Sequence, residues 1–425
     1  MVPKGWITKA LELTGVKVID GDRGKEYPKA SDFSGDGYCL FLSAKNVTKY
    51  GFQFNELQFI DAEKDKKLRK GRVKRSNIVL TTRGSVGHFA YYDASVPYDV
   101  MRINSGMVIL DADESDLEPN FLYALCRSFI VQKQIEAASF GSAQPQLTVG
   151  IVKGLKLPIP TLVEQKKIAQ ILSTWDKAIS VTEKLLTNSQ QQKKALMQQL
   201  LTGKKRLGLP AGSYEFKITR YGSIPKDWDY PAIKEICTQV SEKNSAAVDH
   251  PVLSCSKYDG FVDSLKYFNK KVYSDDLSGY RLIHRGCFGF PSNHIEEGSI
   301  GLQNLYDTGI VSPIYVVFRA SPTKVDNSYL YAVLKTDHYK QIFGAATNAS
   351  VDRRGSLRWK EFNQIHVPLP PLKEQQKISA VLSAADAEIT TLEKKLACLK
   401  DEKKALMQQL LTGKRRVKVD EAVAE

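Results

Sequence analysis

The stretch KKALMQQLLTGKKR, from Lys193 to Arg206, decides the fold of this chain because the chain contains it twice. The second copy, KKALMQQLLTGKRR, runs from Lys403 to Arg416, and 13 of the 14 positions are identical. The copies are 210 residues apart in a chain of 425 residues. Because that period is far longer than a solenoid repeat, it predicts a duplicated pair of domains.

The repeat extends well upstream of both copies. LPIPTLVEQKKIAQILSTWDKAI, from Leu157, aligns without a gap with VPLPPLKEQQKISAVLSAADAEI, from Val367. Fainter matches come earlier, with VPKGW near the start resembling IPKDW at Ile224, and RGSVG resembling EGSIG. Each half therefore has a variable globular part followed by a strongly similar helical part.

Apolar residues recur at alternating spacings of four and three through both helical parts. This spacing predicts a coiled-coil seam sustained for over five heptads. The residues expected to pair the helices are Ile168, Leu172, Trp175, Ile179, Leu186, Leu196, Leu200, Ile378, Leu382, Ile389, Leu392, Leu396, Leu399, Leu406 and Leu410.

Prolines and glycines mark the ends of these helices. Prolines at 158–160 and 368–371 precede each helix, and Gly203 and Gly413 follow the helices as C-terminal caps. Each helix then has about 40 residues and a length of roughly 60 Å. Chain connectivity predicts that they run antiparallel, with a globular domain at each end and a pseudo-twofold axis. The alternative is two independent helices, each packed on its own domain.

The globular parts read as mixed α+β structure. The segments 77–93, 106–113 and 313–320 are strand-like, and 121–138 and 328–343 have helical periodicity. The predicted organisation is a first recognition domain at 1–157, a helix at 158–206, a linker at 207–223, a second recognition domain at 224–366, a helix at 367–416 and a tail at 417–425.

Composition indicates a globular protein with an anionic partner. Hydrophobic residues make up 42% and charged residues 25% of the chain, and the net charge is +14. Nucleic acid is the commonest partner for such a charge, although a merely basic protein is the alternative. There is no apolar run of membrane-spanning length and no signal-peptide pattern, so we expect a cytoplasmic protein without membrane contact.

The sequence contains none of the catalytic constellations that we sought. A GxxxxGK[ST] loop, a GxGxxG unit and an amino-methyltransferase motif are all missing from it. The six cysteines form no CxxC pair, and the six histidines do not fall at zinc-ligand spacing. We therefore expect neither a catalytic site nor a bound metal, and the cysteines should be packed thiols.

Basic and polar residues on expected loops are the candidates for nucleic-acid contact. Lysine and arginine clusters neutralise phosphates, whereas arginine, asparagine and glutamine can read base edges. The candidate residues are Lys67, Arg69, Lys70, Arg72, Lys74, Arg75, Arg83, Gln144, Gln146, Lys270, Lys271, Asn293, Gln303, Arg353, Arg354, Arg358 and Lys360.

Two unlike globular parts alternating with two near-identical helices, each entered through PxPxxxEQxxI, resemble the specificity subunit of Type I restriction–modification systems. The resemblance covers essentially the whole chain. It implies that each globular domain binds one half of an asymmetric, bipartite target in double-stranded DNA, and that the helices set the gap between the halves.

The resemblance also implies a set of partners. Two methylation subunits would bind around the helices and supply S-adenosylmethionine and adenine N6 transfer. Restriction subunits would add ATP- and Mg²⁺-dependent translocation and cleavage, and the specificity subunit would hold no cofactor and catalyse nothing itself. The alternatives are a non-specific DNA- or RNA-binding scaffold, a fused restriction–modification enzyme and a purely structural coiled-coil protein.

Overall fold

A computed structural model describes residues 2–139, 146–210, 212–245, 248–347 and 355–418. The chain divides into two compact units. Unit 1 comprises Met1–Lys184 and Lys394–Glu425, and unit 2 comprises Leu185–Glu393. Each long helix contributes one part to each unit. The division follows compactness, and the predicted domain boundaries along the chain remain predictions.

Unit 1 is a mixed structure of short strands and helices. Its strands are β1 Ile7–Ala10, β2 Lys17–Asp20, β3 Cys39–Leu42, β4 Val47–Thr48, β5 Gly51–Phe52, β6 Phe59–Ile60, β7 Arg72–Val73, β8 Ile78–Thr81, β9 Phe89–Tyr91, β10 Met101–Ile103, β11 Met107–Asp111 and β12 Lys156–Ile159. Its helices are α1 Ala62–Lys67, α2 Pro119–Cys126, α3 Phe129–Ser139, α4 Val149–Lys153 and the first part of α5 Leu162–Leu200.

Two four-stranded sheets form the centre of unit 1, with strand orders β2-β11-β8-β9 and β6-β3-β10-β7. All pairs in them are antiparallel except β3 with β10. β8 and β11 are buried at every residue, which agrees with their β-branched and aliphatic composition. The strand β1 pairs with β12, directly before the long helix α5.

Unit 2 repeats this plan with different lengths. Its strands are β13 Phe216–Thr219, β14 Gly222–Pro225, β15 Cys237–Val240, β16 Leu253–Ser256, β17 Gly260–Asp263, β18 Arg281–His284, β19 Phe288–Pro291, β20 Gly301–Leu302, β21 Thr308–Val311 and β22 Tyr315–Ala320. Its helices are α6 Ile233–Ile236, α7 Ser264–Phe268, α8 Asn327–Leu334, α9 Asp337–Ala346, α10 Trp359–Phe362 and the first part of α11 Leu372–Leu411.

The central sheet of unit 2 has the order β15-β22-β19-β20, which matches β2-β11-β8-β9 of unit 1 strand for strand. The strand pairing before the long helix also recurs, because the bridge Asp229–Leu369 takes the place of Ile7–Ile159. The weak RGSVG and EGSIG match is structural as well, since Gly84 and Gly298 both have positive φ angles in equivalent turns. The duplication therefore includes the globular parts.

The segments with predicted helical periodicity, 121–138 and 328–343, each form two helices rather than one. In unit 2 the break occurs where Thr336 caps α9 by accepting a hydrogen bond from the Tyr339 backbone N–H. In unit 1 the break falls at Arg127 and Ser128, between α2 and α3. The strand predictions at 77–93, 106–113 and 313–320 are confirmed.

The helices α5 and α11 have 39 and 40 residues, and they pair antiparallel within each unit. In unit 1, Asp176 of α5 pairs with Lys403 of α11, and Glu183, further along α5, pairs with the earlier residue Lys400. In unit 2, Ser189 contacts Glu388, and Lys193, further along α5, contacts Asp386. All fifteen apolar seam residues are buried or half-buried. The fold class is confirmed, and these pairings exclude two independent helices.

Each unit has a hydrophobic core that includes the beginning of one long helix and the end of the other. In unit 1 the core joins Leu172 of α5 and Leu410 of α11 to Trp6. In unit 2 it joins Leu382 of α11 and Leu200 of α5 to Trp228. No helix within the described ranges is both long and apolar enough to cross a membrane. All six cysteines are free thiols, of which four are buried.

Candidate functional site

The helix entry is held by the same buried glutamine in both units. In unit 1, Gln165 accepts the Glu118 backbone N–H at 2.9 Å and donates to the carbonyls of Asp116 and Pro160. In unit 2, Gln375 accepts the Asp326 N–H at 2.9 Å and donates to the carbonyls of Lys324 and Pro370. The two side chains thus fix α5 and α11 to the start of α2 and α8 in the same way.

The helix exit is also equivalent in the two units. Gly203 and Gly413 have φ angles of 69° and 71°, a conformation that favours glycine. A Cβ on Gly203 would lie 2.4 Å from the Pro225 ring, and one on Gly413 would lie 2.3 Å from the Pro3 ring. The glycine after each helix therefore lets the backbone pack closely against the proline of the IPKDW or VPKGW segment.

An arginine after each helix binds the glutamate at the start of the other helix. Arg206 donates to Glu374 at 2.6 Å and to both oxygens of Asp227 at 2.7 Å, and its side chain is only 6% exposed. These partners raise the pKa of Arg206 far above its ordinary value. In unit 1, Arg416 donates to Glu164 at 2.7 Å, but its side chain is 46% exposed.

Burial alone would raise the pKa of Glu164, but hydrogen bonds from Arg416 and Thr161 outweigh burial and hold this pKa below its ordinary value.

A lysine on each seam reaches an aspartate of the facing helix. Lys403 is 2.5 Å from Asp176 in unit 1, and Lys193 forms the corresponding pair with Asp386 in unit 2. The Lys403 side chain is 12% exposed, and burial lowers its pKa although Asp176 opposes this effect. Polar pairs in an apolar seam specify the register of helix pairing.

The predicted basic run at 64–75 begins within α1 and extends past β7 in unit 1, so that residues 68–71 connect these two elements. The buried Arg102 holds its backbone by donating to Asp65 and to the carbonyls of Leu68 and Lys70. Its basic side chains are exposed except that of Lys64, which is only 17% exposed and lies 3.3 Å from Asp32. Four of the candidates are exposed and have no ion pair within the described part of the chain: Lys67, Arg69, Lys70 and Lys74.

The two remaining candidates of this run are held by protein acceptors. Arg72 lies 3.4 Å from Asp65, and Arg75 lies 2.8 Å from Asp99 while its guanidinium stacks on Tyr92 at 4.1 Å from the ring centroid.

Arg83 and Gln146 are adjacent and exposed in unit 1. Their backbones form a bridge. The Gln146 amide oxygen is assigned to the side facing Arg83, where it accepts from Nη2 at 2.9 Å and from Nε at 3.2 Å. Of the other glutamine and arginine candidates, Gln144, Arg353 and Arg354 lie outside the described residues.

In unit 2 the candidates are scattered over several surfaces. Lys270, Arg358 and Lys360 are exposed, and Asn293 is half-buried two residues after β19. Lys271 is exposed and forms an ion pair with Asp275.

The structure argues against Gln303 as a base-reading residue. Its side chain is fully buried, donates to the carbonyls of Ile283 and Tyr306, and accepts the backbone N–H groups of Leu305 and Tyr306. Sequence reasoning placed it on a loop, but the loop folds around the glutamine, so its amide has no group free for a base.

Sequence reasoning missed two arginines that lie beside equivalent turns. In unit 1, Arg23 donates to the Ser105 carbonyl at 3.2 Å, next to the turn before β11. In unit 2, Arg281 donates to the Pro313 carbonyl at 3.2 Å, next to the turn before β22. GDRG around Arg23 was interpreted only as a turn, and only the fold brings either arginine to its turn.

One group of possible metal ligands also forms in unit 2, where no metal is expected from the sequence. Oxygen or nitrogen atoms of His294, Glu296 and Glu297 lie within 4.8 Å of one another. All three side chains are exposed, and Glu297 is also 3.9 Å from Lys257. Exposed acidic groups of this kind are common on protein surfaces, and nothing else in the described structure indicates a metal there.

The match of this chain to a known protein family follows its internal duplication. The family model described as "Type I restriction modification DNA specificity domain" matches residues 5–188 and again residues 225–400. The MjaVIII specificity subunit of a type I restriction enzyme from Methanocaldococcus jannaschii is 27% identical, over 74% of this chain and 75% of its own. The EcoKI specificity subunit of Escherichia coli is 24% identical, over 93% of this chain and 85% of its own.

A solved structure confirms the fold. The crystal structure of the S subunit of a type I restriction–modification system from M. genitalium has a TM-score of 0.58 at 14% identity, covering 96% of both chains. Because two family matches together span most of the residues, and each falls on one of the two repeats, the chain belongs to the Type I restriction–modification DNA specificity family.

Proposed function

We propose that this chain is the non-catalytic DNA-recognition subunit of a Type I restriction–modification complex, and that each of its two globular parts binds one half of a bipartite DNA target. The observation that carries the proposal is the duplication itself. Both units hold the helices through equivalent glutamine, arginine and lysine contacts, whereas their exposed basic faces differ in residue type and position. Equivalent contacts to the helices place the two globular parts in equivalent positions, and their different exposed surfaces can bind two different half-sites.

The helices α5 and α11 provide the gap between half-sites and the docking surface for two methylation subunits. Two copies of one partner need two equivalent surfaces, and near-identical helices supply them. S-adenosylmethionine, ATP and Mg²⁺ belong to the methylation and restriction subunits in this proposal, and the site of action is the cytoplasmic DNA of the cell.

Electrostatics supports double-stranded DNA as the ligand. The net charge of +14 and the outward-facing lysines of the 64–75 run are suited to phosphate contacts. Each phosphate that a lysine or arginine neutralises adds to the salt dependence of binding. Such contacts position the protein but do not select a sequence, so selection must come from other side chains.

The direct test is to map methylated adenines in the source genome with and without this gene. The proposal predicts that deletion removes one methylated motif made of two unlike half-sites separated by a fixed gap. Loss of an uninterrupted motif, or no loss at all, would contradict it.

The alternative, a scaffold that binds DNA without sequence preference, is distinguished by competition. A complex of the chain with its methylation subunits should retain the mapped duplex in the presence of excess random duplex. A non-specific scaffold would lose the mapped duplex to the excess of random duplex.

A further inference from the structure

The residues that follow β8 in unit 1 and β19 in unit 2 make the same backbone hydrogen bonds. In unit 1, Thr82 directly follows the strand β8. Its N–H donates to the Gly106 carbonyl at 2.8 Å, and its carbonyl accepts the Leu147 N–H at 3.0 Å. In unit 2, Ser292 directly follows the strand β19. Its N–H donates to the Ile314 carbonyl at 3.3 Å, and its carbonyl accepts the Leu357 N–H at 2.8 Å.

The next residue, Arg83 or Asn293, therefore occupies the same position after the strand in each unit. Beyond it the chains differ. Only Arg83 separates Thr82 from the turn glycine Gly84, whereas the five residues 293–297 precede Gly298.

Gln146 binds one edge of the Arg83 guanidinium group and leaves a second edge free. The amide oxygen accepts from Nε and Nη2, which share one edge of the guanidinium plane. The edge formed by Nη1 and the second proton of Nη2 remains available in the described structure, and both residues are exposed. Two parallel N–H donors on one edge match the O6 and N7 acceptors of guanine in the major groove.

Asn293 offers a different hydrogen-bonding edge at the equivalent position. Its side chain is half-buried, at a position that directly follows Ser292. An amide combines one donor and one acceptor, which match N7 and N6 of adenine. The neighbouring Glu296 and Glu297 are exposed, and Glu297 lies 3.2 Å from the His294 ring nitrogen and 3.9 Å from the Lys257 ammonium group.

An arginine accompanies each position, and the one in unit 1, Arg23, is also 3.3 Å from the Asp20 carboxylate. Arg23 donates to the Ser105 carbonyl beside Gly106, and Arg281 donates to the Pro313 carbonyl beside Ile314. Each arginine is thus fixed to the turn that also binds the strand end. An arginine at such a turn can contact a DNA phosphate, which would position the protein without selecting a base.

We propose that Arg83 and Asn293 are equivalent base-contacting residues of the two units, Arg83 selecting a guanine in one half-site and Asn293 an adenine in the other. Gln146 is a positioning residue that orients the Arg83 guanidinium rather than reading a base. The inference rests on the proposed function and adds which residues select which letters.

The experiment uses the full chain in complex with the methylation subunits encoded with it. Methylation rates are measured on duplexes that carry the mapped wild-type motif and each of its single-base substitutions. Arg83→Ala should abolish the preference for guanine at one position of one half-site, a loss of roughly 5- to 150-fold in discrimination. All letters of the other half-site should be unchanged.

Asn293→Arg should change one letter of the other half-site from adenine to guanine. Gln146→Leu should weaken the same guanine preference that Arg83→Ala abolishes. Gln146→Glu should retain this preference, because the carboxylate still accepts hydrogen bonds from Nε and Nη2 of Arg83. Arg285→Ala, which removes an exposed arginine paired with Asp307, is the matched control and should leave every letter unchanged.

Melting temperatures identify variants that lose structure, and Arg83→Lys serves as the second variant, because a lysine keeps the charge but not the two-donor edge. If the wild-type complex methylates no bipartite motif, the proposed function is wrong. A wild-type complex with such a motif, and an Arg83→Ala or Arg83→Lys variant that folds and keeps full guanine preference, would overturn this inference alone.

Discussion

Unit 1 and unit 2 share the contacts that hold the long helices and differ in the side chains that face outward. Gln165 and Gln375 make the same three hydrogen bonds at the helix entries. At the equivalent strand ends, however, Arg83 stands in one unit and Asn293 in the other. The comparison separates residues that assemble the molecule from those that can distinguish DNA sequences.

The anchors themselves differ at one point, which the sequence explains. Asp227 of IPKDW gives Arg206 a second carboxylate, whereas Gly5 stands at the matching position of VPKGW. Tyr214 also lies 5.5 Å from the Arg206 guanidinium, measured to its ring centroid. Of the two equivalent arginines, Arg206 is consequently buried in unit 2, whereas Arg416 is half-exposed in unit 1.

The largest effect is expected from the buried glutamines. Gln165→Leu or Gln375→Leu leaves one N–H and two carbonyls without their partner, which should lower the free energy of unfolding by roughly 4 kcal/mol in either unit. Urea unfolding measures the loss, and hydrogen–deuterium exchange assigns it to a unit. The neighbouring exposed Gln170→Leu and Gln376→Leu are the controls. A large loss in only one unit would contradict the equivalence of the anchors.

The arginine anchors should respond unequally. Arg206→Ala should cost roughly 3–4 kcal/mol because it leaves the poorly exposed Glu374 unpaired. Arg416→Ala should cost about 1–2 kcal/mol, because its more exposed guanidinium loses fewer contacts. Unfolding of both variants at pH 7 tests this order, and equal costs would contradict the role given to Asp227 and burial.

The same Arg416→Ala variant has a predicted pH dependence. The pKa of Glu164 is lowered in the folded state, so the stability from this pair is present at neutral pH and is lost as the pH falls through that lowered pKa. The difference from wild type should therefore narrow below about pH 4. A difference that stays constant down to pH 3 would show that Arg416 acts through packing alone.

The smallest effect is expected at the lysine–aspartate pairs across the seam. Lys403→Asp places two carboxylates together and should cost about 1–2 kcal/mol, with a smaller cost for Lys193→Asp, whose side chain is more exposed. Exchange of both partners, as in Lys403→Asp with Asp176→Lys, should recover most of the loss. Lys404→Asp, at an exposed position, is the control. Without recovery in the double variant, the pair would not determine register.

The long helices and their ends were predictable because their signals are local. Heptad spacing, the prolines before each helix and the glycine after it lie within one stretch of sequence, and the repeat showed which residues correspond. The exposed lysines of the 64–75 run were identified for the same reason.

The outward faces could not be predicted to the same depth because they depend on tertiary contacts. Gln303 is polar and lies on a loop, yet its backbone neighbours enclose it. The equivalence of Arg83 and Asn293 depends on hydrogen bonds from Leu147 and Leu357, residues that follow more than sixty positions later. Sequence spacing alone aligned Arg83 with Glu297 instead.

The most direct test of the account is a chain in which residues 2–157 are replaced by a copy of residues 224–367, with both long helices unchanged. The anchors of the copied part, among them Pro225 and Trp228, should meet the helix end after Leu410 as they meet that after Leu200. Mapping of methylated adenines should then give a motif whose two halves are inverted copies of the second half-site. A folded chain of this kind that still methylates two unlike half-sites would contradict the central claim that each unit reads its own half.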